Sequence, residues 1–150
     1  MVAVSLLVAA PTASSALPLA RARAQHGALA AVHHICRAAG DDGAVLVYGY
    51  HFLDLELPQP IRGFCGVPVG LGTNVDLPRL ARQWHDLGRR LLVATAVPDA
   101  VMKNAPGATI IGHERVAGDA DPERVLDRAP RRFKPVPIEI WLLQIPADAQ

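Results

Sequence analysis

Three polar residues that could bind a ligand together follow the first strand-like segment of the chain. His51, Asp54 and Glu56 come shortly after the apolar run Ala44–Tyr48. One loop can bring an imidazole and two carboxylates together, and open α/β sheets bind their ligands outside the carboxyl ends of their strands. The sequence therefore suggests a ligand site at this loop, although loops after strands are also polar for ordinary reasons of solvation.

The adjacent histidines His33 and His34 do not indicate a metal site. Neighbouring residues on a helix point about 100° apart, so the two rings cannot easily bind one ion. The i, i+4 histidine pair that zinc-binding helices use is also absent. We interpret these residues as surface or half-buried histidines and predict no metal ligand.

The glycines between residues 66 and 72 resemble a phosphate-binding loop only loosely. Gly70 and Gly72 precede a predicted helix, whose N-terminus could bind an anion. However, Asp76 is the predicted N-cap of that helix, and its carboxylate would repel an anion. We interpret the glycines as turn residues and predict no cofactor.

No nucleophile is recognisable, so no catalytic residue is predicted. The chain has no serine in a G-x-S-x-G elbow and no distinctive Cys/His pair. A small basic cluster of Arg131, Arg132 and Lys134 lies in a polar stretch. It could contact anionic lipid headgroups, or it could simply be solvated.

Helical and strand-like segments alternate over the first two-thirds of the chain. The predicted helices are Ala22–Ala39, a short one from Pro58 toward Phe64, and one from the Asp76 cap to Gly88; the predicted strands are Ala44–Tyr48, Val67–Leu71 and Leu91–Val97. Pro98 to Gly107 is a loop or short helix. The proline within Val67–Leu71 places that strand near a sheet edge.

The last third of the chain has a different pattern. Two strand-like runs, Thr109–Val116 and Ile138–Ile145, flank a polar stretch rich in proline and arginine. Successive strands without a long helix between them indicate an antiparallel pair. We therefore predict one α/β domain over residues 20–150, with a Rossmann-like, open, mostly parallel sheet of about four to five strands and an antiparallel pair at the C-terminal end.

Composition narrows the functional classes. The length of 150 residues suits a single domain, and 51% hydrophobic residues exclude a disordered chain. The 15 basic residues are balanced by 14 acidic ones, so the concentrated positive charge of nucleic-acid-binding proteins is absent.

The first 19 residues form an apolar segment without charge, and Arg21 is the first charged residue. It could be a signal peptide, although the basic n-region is missing. It could also be an ordinary alanine-rich helix. We favour the end of a transmembrane helix whose earlier part lies upstream, since Pro11 interrupts the apolar run. Arg21 and Arg23 favour a cytoplasmic flank, which conflicts with an outside location.

Three short motifs carry a family resemblance. They are Ile61–Pro68 (IRGFCGVP), Gln25–Ala28 leading to Cys36, and Pro137–Trp141 (PIEIW). With these motifs the chain, from about Leu19 to Ile145, resembles the C-terminal soluble region of large multi-pass membrane proteins of high-GC bacteria. Those proteins are described as glycosyltransferase-like or as uncharacterised integral membrane proteins.

The resemblance implies a non-catalytic extracytoplasmic domain, or a fragment, at the cell membrane. The catalytic acidic residue of such transferases lies in an early extracytoplasmic loop that this chain does not contain, so no catalytic residue is carried over. The expected role is accessory: supporting folding, contacting an acceptor glycan or lipid headgroups, or docking a partner. Attachment to the membrane would come through the residues that precede the domain.

The resemblance also bears on Cys36 and Cys65, the only cysteines. In a reducing compartment they would be two small buried apolar residues. An outward-facing domain would instead bridge them, with a stabilisation of about 3–4 kcal/mol in the chain-entropy treatment of loop closure.

Two other functional classes remain open. The chain could be a small stand-alone enzyme or nucleotide-binding domain that uses the strand-end loops at His51 and Gly70. It could also be a secreted interaction module, which would require cleavage near Ala16. The reading frame upstream of Met1 distinguishes the membrane-protein domain from the stand-alone enzyme, because only a membrane protein would encode hydrophobic spans there.

Overall fold

From residue 28 onward four helices alternate with four strands, and a fifth strand is the last described element. The structure is a computed structural model that describes residues 28–49, 57–118 and 136–148. Its helices are α1 (Ala28–Ala39), α2 (Pro58–Cys65), α3 (Leu77–Asp86) and α4 (Pro98–Asn104), and its strands are β1 (Gly43–Tyr48), β2 (Val69–Gly72), β3 (Arg90–Thr95), β4 (Thr109–Gly118) and β5 (Val136–Ile145).

The five strands form one open sheet in the order β2-β1-β3-β5-β4. β1 is parallel to both β2 and β3, whereas β5 is antiparallel to both β3 and β4. The α/β class, the antiparallel strands at the C-terminal end and the edge position of β2 are therefore confirmed. The sheet is mixed rather than mostly parallel, because β5 returns beside β3 and makes two antiparallel pairings.

Each face of the sheet packs against a pair of helices. Alternate residues of a strand point to opposite faces. Val45 and Val47 pack in a core with α1 and α2, while Leu46 packs on the other side with α3 and α4. All six residues of β1 are buried, as its continuous apolar run predicts for a strand covered on both faces.

The helix boundaries follow local signals in the sequence. The Asp76 carboxylate accepts a hydrogen bond from the Arg79 backbone N–H at 3.0 Å, which confirms the predicted N-cap of α3. Pro58 opens α2 in its first turn, and Gly66 ends that helix in the left-handed region at φ 66°. The stretch from Pro98 forms a short helix, α4, rather than a loop.

Among the residues that the structure describes, no helix is long and apolar enough to cross a membrane. The apolar segment over residues 1–19 lies outside those residues. The same is true of Arg21, Arg23 and the basic cluster of residues 131–134.

Candidate functional site at the carboxyl ends of β1 and β3

The sheet has a topological switch point between β1 and β3. The chain leaves β1 through α2 and returns as β2 on one side, whereas it leaves β3 toward β5 and β4 on the other. The connections that follow these two parallel strands therefore run to opposite sides of the sheet. Open α/β sheets bind ligands in such a crevice.

Thr95 lies at this crevice and is fully buried. It pairs with Tyr48 at the last position of the β1–β3 register, and it is the one buried polar side chain among the described residues. Its Oγ1 accepts a hydrogen bond from the Val97 backbone N–H at 3.0 Å. The hydroxyl thus stabilises the turn after β3 and ends that strand two residues before the sequence predicts.

Gly49 brings the loop after β1 against the loop after β3. Its φ of +105° disfavours any residue with a side chain. A Cβ at this position would lie 2.7 Å from Val97 Cγ2 and 3.5 Å from Thr95 Oγ1. The side chains that lie closest to Gly49 are therefore an apolar one, Val97, and a hydroxyl that already accepts a hydrogen bond, Thr95.

The predicted ligand residues His51, Asp54 and Glu56 lie outside the described residues. In the sequence they come after Gly49, the last described residue beyond β1. Their joint role in ligand binding stays a prediction.

The glycine-rich stretch before α3 contains the strand β2 and a turn. The Asp76 carboxylate occupies the N-terminus of α3, as the sequence predicts. A Cβ on Gly72 would collide with Val75, and Asn104 on α4 donates to the Val75 carbonyl at 3.0 Å. Gly66 is a turn residue at the end of α2, but Gly70 and Gly72 pair with β1 within β2, so the prediction that they are turn residues was wrong.

His33 and His34 point to different partners, in agreement with their predicted angular separation. The centroid of the His33 ring lies 5.7 Å from that of the Phe64 ring, which belongs to α2. His34 Nδ1 lies 2.7 Å from Glu114 Oε1 on β4. Within the described ranges, no group of three or more His, Cys, Asp or Glu side chains could hold a metal ion.

A second histidine–glutamate pair lies on the opposite face of the β4–β5 ribbon. His113 stacks on Trp141 with ring centroids 3.9 Å apart, and its Nε2 is 3.7 Å from Glu139 Oε2. Sequence reasoning missed this group because it depends on the register between two strands separated by a long polar stretch. The sequence did contain one signal for this group: polar residues alternate along both strands, which indicates that they share one face of the ribbon.

Cys36 and Cys65 form a disulfide, as the resemblance leads one to expect. The bond joins the last turn of α1 to the end of α2, with the two Cα atoms 4.8 Å apart. It leaves neither cysteine of the chain free. A disulfide fits a domain that folds in an oxidising compartment.

Comparisons with protein-family models, with curated proteins and with solved structures find no match. The features of this chain that bear on its function are therefore the disulfide, the switch point and the exposed surfaces.

Proposed function

We propose that this chain is a non-catalytic α/β domain that acts outside the cytoplasm as an accessory part of a membrane glycosyltransferase-like protein. Its role is to contact an acceptor glycan or dock a partner near the membrane. The observation that carries the proposal is the Cys36–Cys65 disulfide, because structural disulfides persist in oxidising compartments and are rare in the cytosol.

The position of the disulfide supports a structural role for it. It cross-links α1 and α2, the two helices that the structure describes on this side of the sheet. The chain-entropy treatment assigns such a loop a stabilisation of about 3–4 kcal/mol. A domain that depends on this bond suits an extracytoplasmic location.

The crevice between β1 and β3 supports the non-catalytic part of the proposal. Val97 Cγ2 lies 2.7 Å from the position that a Cβ on Gly49 would take, and the Thr95 hydroxyl already accepts a backbone hydrogen bond. Neither of these two side chains is a carboxylate or an imidazole that could act on a substrate.

Peptide mapping under non-reducing conditions tests the proposal, with protein taken from its own compartment and alkylated at harvest. We expect one cross-linked peptide pair containing Cys36 and Cys65. A Cys36→Ser variant is the control, because its lone Cys65 must be alkylated in full. Two free, alkylated thiols in the wild-type protein would contradict an extracytoplasmic location.

The alternative is a small stand-alone enzyme or nucleotide-binding domain, and the switch point favours it. Under this alternative the parallel strands with α2 and α3 form a Rossmann-like unit, and His51, Asp54 and Glu56 bind the ligand. Calorimetry with ATP and NAD tests it. Binding that His51→Ala and Asp54→Asn abolish would support the alternative, whereas an unchanged heat signal with both nucleotides would exclude nucleotide binding.

A further inference from the structure

The helical layer formed by α1 and α2 presents apolar side chains to solvent. Leu29 on α1 is 52% exposed and Phe64 on α2 is 62% exposed. Leu71 on β2 is 55% exposed and points to the same side of the sheet, because Val69, two residues earlier, packs against the core of this layer. Large exposed apolar side chains that cluster on one side indicate an interaction surface.

These side chains belong to one surface, which we call the α1–α2 face: Leu29, His33, Arg37, Arg62, Phe64 and Leu71. Leu29, His33 and Arg37 are exposed and spaced four residues apart, so they follow one stripe along α1. The contact between the rings of His33 and Phe64 connects this stripe to α2. The Cys36–Cys65 disulfide holds the two helices together.

The β2 edge is attached to the same face. Arg62 Nη2 donates a hydrogen bond to the Val69 carbonyl at 3.0 Å, which fixes α2 against the strand that carries Leu71. The face is therefore preformed, and its apolar and basic groups keep their relative positions without a partner.

The charge of the α1–α2 face is entirely positive. Arg37 and Arg62 are exposed, and the described residues 28–40 and 57–75 contain no aspartate or glutamate. Asp41 and Asp42 follow α1 in the turn to β1, where Asp42 is paired with Arg90, and Asp76 caps α3 directly after residue 75. Glu114 on β4 contacts α1 through His34, which is not part of this face. On the opposite layer, by contrast, α3 and α4 carry both acidic and basic residues.

We propose that the α1–α2 face lies against an anionic lipid bilayer. Phe64 and Leu29 would enter the boundary between headgroups and acyl chains, as apolar residues of interfacial helices do. Arg37 and Arg62 would bind lipid phosphates, for which the guanidinium fork is well suited. This inference rests on the proposed function, since it gives the orientation of an extracytoplasmic domain relative to its own membrane.

Sedimentation of the oxidised full chain with lipid vesicles tests the charge requirement. One set of vesicles is phosphatidylcholine alone and the other also contains phosphatidylglycerol. We expect stronger binding to the anionic set, and Arg37→Gln should lower that partition coefficient about fivefold. Arg79→Gln on α3 is the matched control and should leave it unchanged. Equal binding to both lipid sets, or equal loss in both variants, would overturn the proposal.

Tryptophan quenching tests the depth of Phe64. Phe64→Trp and, as the matched control, Leu87→Trp on the other layer are mixed with anionic vesicles whose acyl chains are brominated. Phe64 and Leu87 are both largely exposed, at 62% and 70%, so neither change disturbs the core. We expect quenching beyond the wild-type background of Trp84 and Trp141 only for Phe64→Trp. Vesicle binding without that quenching would overturn the proposal, since another part of the chain would then be responsible.

The outcomes separate this inference from the proposed function. An oxidised disulfide in cells together with no preference for anionic vesicles defeats the bilayer contact and leaves the extracytoplasmic domain standing. Specific vesicle binding together with reduced cysteines in cells defeats the proposed location alone.

Discussion

Arg90 holds the carboxylate of Asp42 with two hydrogen bonds, Nε to Oδ2 and Nη2 to Oδ1, both 2.8 Å long. The same Nη2 also lies 3.4 Å from the Ala38 carbonyl and 3.3 Å from the Ala39 carbonyl, at the end of α1. One guanidinium therefore joins the start of β3 to the helix end and the turn before β1. The hydrogen bond from Arg90 lowers the pKa of Asp42 below its ordinary value of 3.8.

The depressed pKa of Asp42 predicts a loss of stability in acid. Because the pKa is lower in the folded than in the unfolded chain, the contribution is complete above the unfolded value of 3.8 and is lost as pH falls through the folded value. We expect the urea midpoint of the wild type to fall more steeply below pH 3.8 than that of Asp42→Asn. Asp41→Asn is the control, because its side chain takes no part in this pair, and it should keep the wild-type slope. Parallel acid profiles for wild type and Asp42→Asn would contradict the prediction.

Loss of the Cys36–Cys65 disulfide should destabilise the domain. We expect the double variant Cys36→Ser/Cys65→Ser to lose about 3–4 kcal/mol of unfolding free energy, because its unfolded chain is no longer constrained. Urea unfolding followed by circular dichroism measures this loss. Adding a reductant should lower the unfolding free energy of the wild type by a similar amount and leave that of the double variant unchanged. A variant as stable as the oxidised wild type would show that the bond contributes nothing.

Gly112 on β4 provides space for the His34 ring. A Cβ there would lie 2.7 Å from His34 Nε2, which is closer than a side chain tolerates. We expect Gly112→Ala to cost about 1–3 kcal/mol through overpacking. Gly63→Ala on α2 is the control, since nothing lies within 4 Å of the added atom. It should stabilise the helix by about 0.5–1 kcal/mol.

A double-mutant cycle identifies the cause of the Gly112 effect. If the collision with His34 is responsible, then His34→Ala should remove most of the cost of Gly112→Ala, with a coupling of about 0.5–3 kcal/mol. The free energies come from urea unfolding of the four proteins. Additive effects would mean that the strand itself, rather than the helix packed on it, disfavours a side chain at this position.

A side chain at position 49 should destabilise the fold, because Gly49 lies close to Val97 in the segment after β3. Gly49→Ala combines a strained φ with a collision against Val97, whereas Gly66→Ala has a positive φ and nothing within 4 Å. We expect Gly49→Ala to cost about 1–3 kcal/mol more than Gly66→Ala, as overpacking does. The difference in thermal unfolding measures it. A Val97→Ala background should reduce that difference, and a difference unaffected by it would contradict the proposed contact.

Short-range signals predicted most of the individual elements. The continuous apolar run before Tyr48 predicted a strand buried on both faces, and Asp76 predicted the start of α3. The proline near β2 predicted an edge strand. These features succeed because burial, capping and the missing proline N–H act on residues a few positions apart.

Long-range pairings escaped prediction. His34 and Glu114 are 80 residues apart in the chain, and the stacking of His113 on Trp141 requires the register between β4 and β5. The predicted parallel pairing extends only over β2, β1 and β3, because alternating apolar segments do not specify which strand pairs with which. His51, Asp54 and Glu56 stay a prediction from the sequence alone.

By itself, then, the sequence determined the type and approximate bounds of the elements, since periodicity, caps and turn residues are properties of neighbouring residues. It also supplied two cysteines whose bridge could be proposed only with a resemblance. The tertiary structure alone decided that β5 inserts beside β3, that α1 and α2 present one basic and apolar face, and that the two cysteines meet. Those outcomes depend on many weak contacts between distant segments, which become favourable only when the whole sheet and both helical layers pack together.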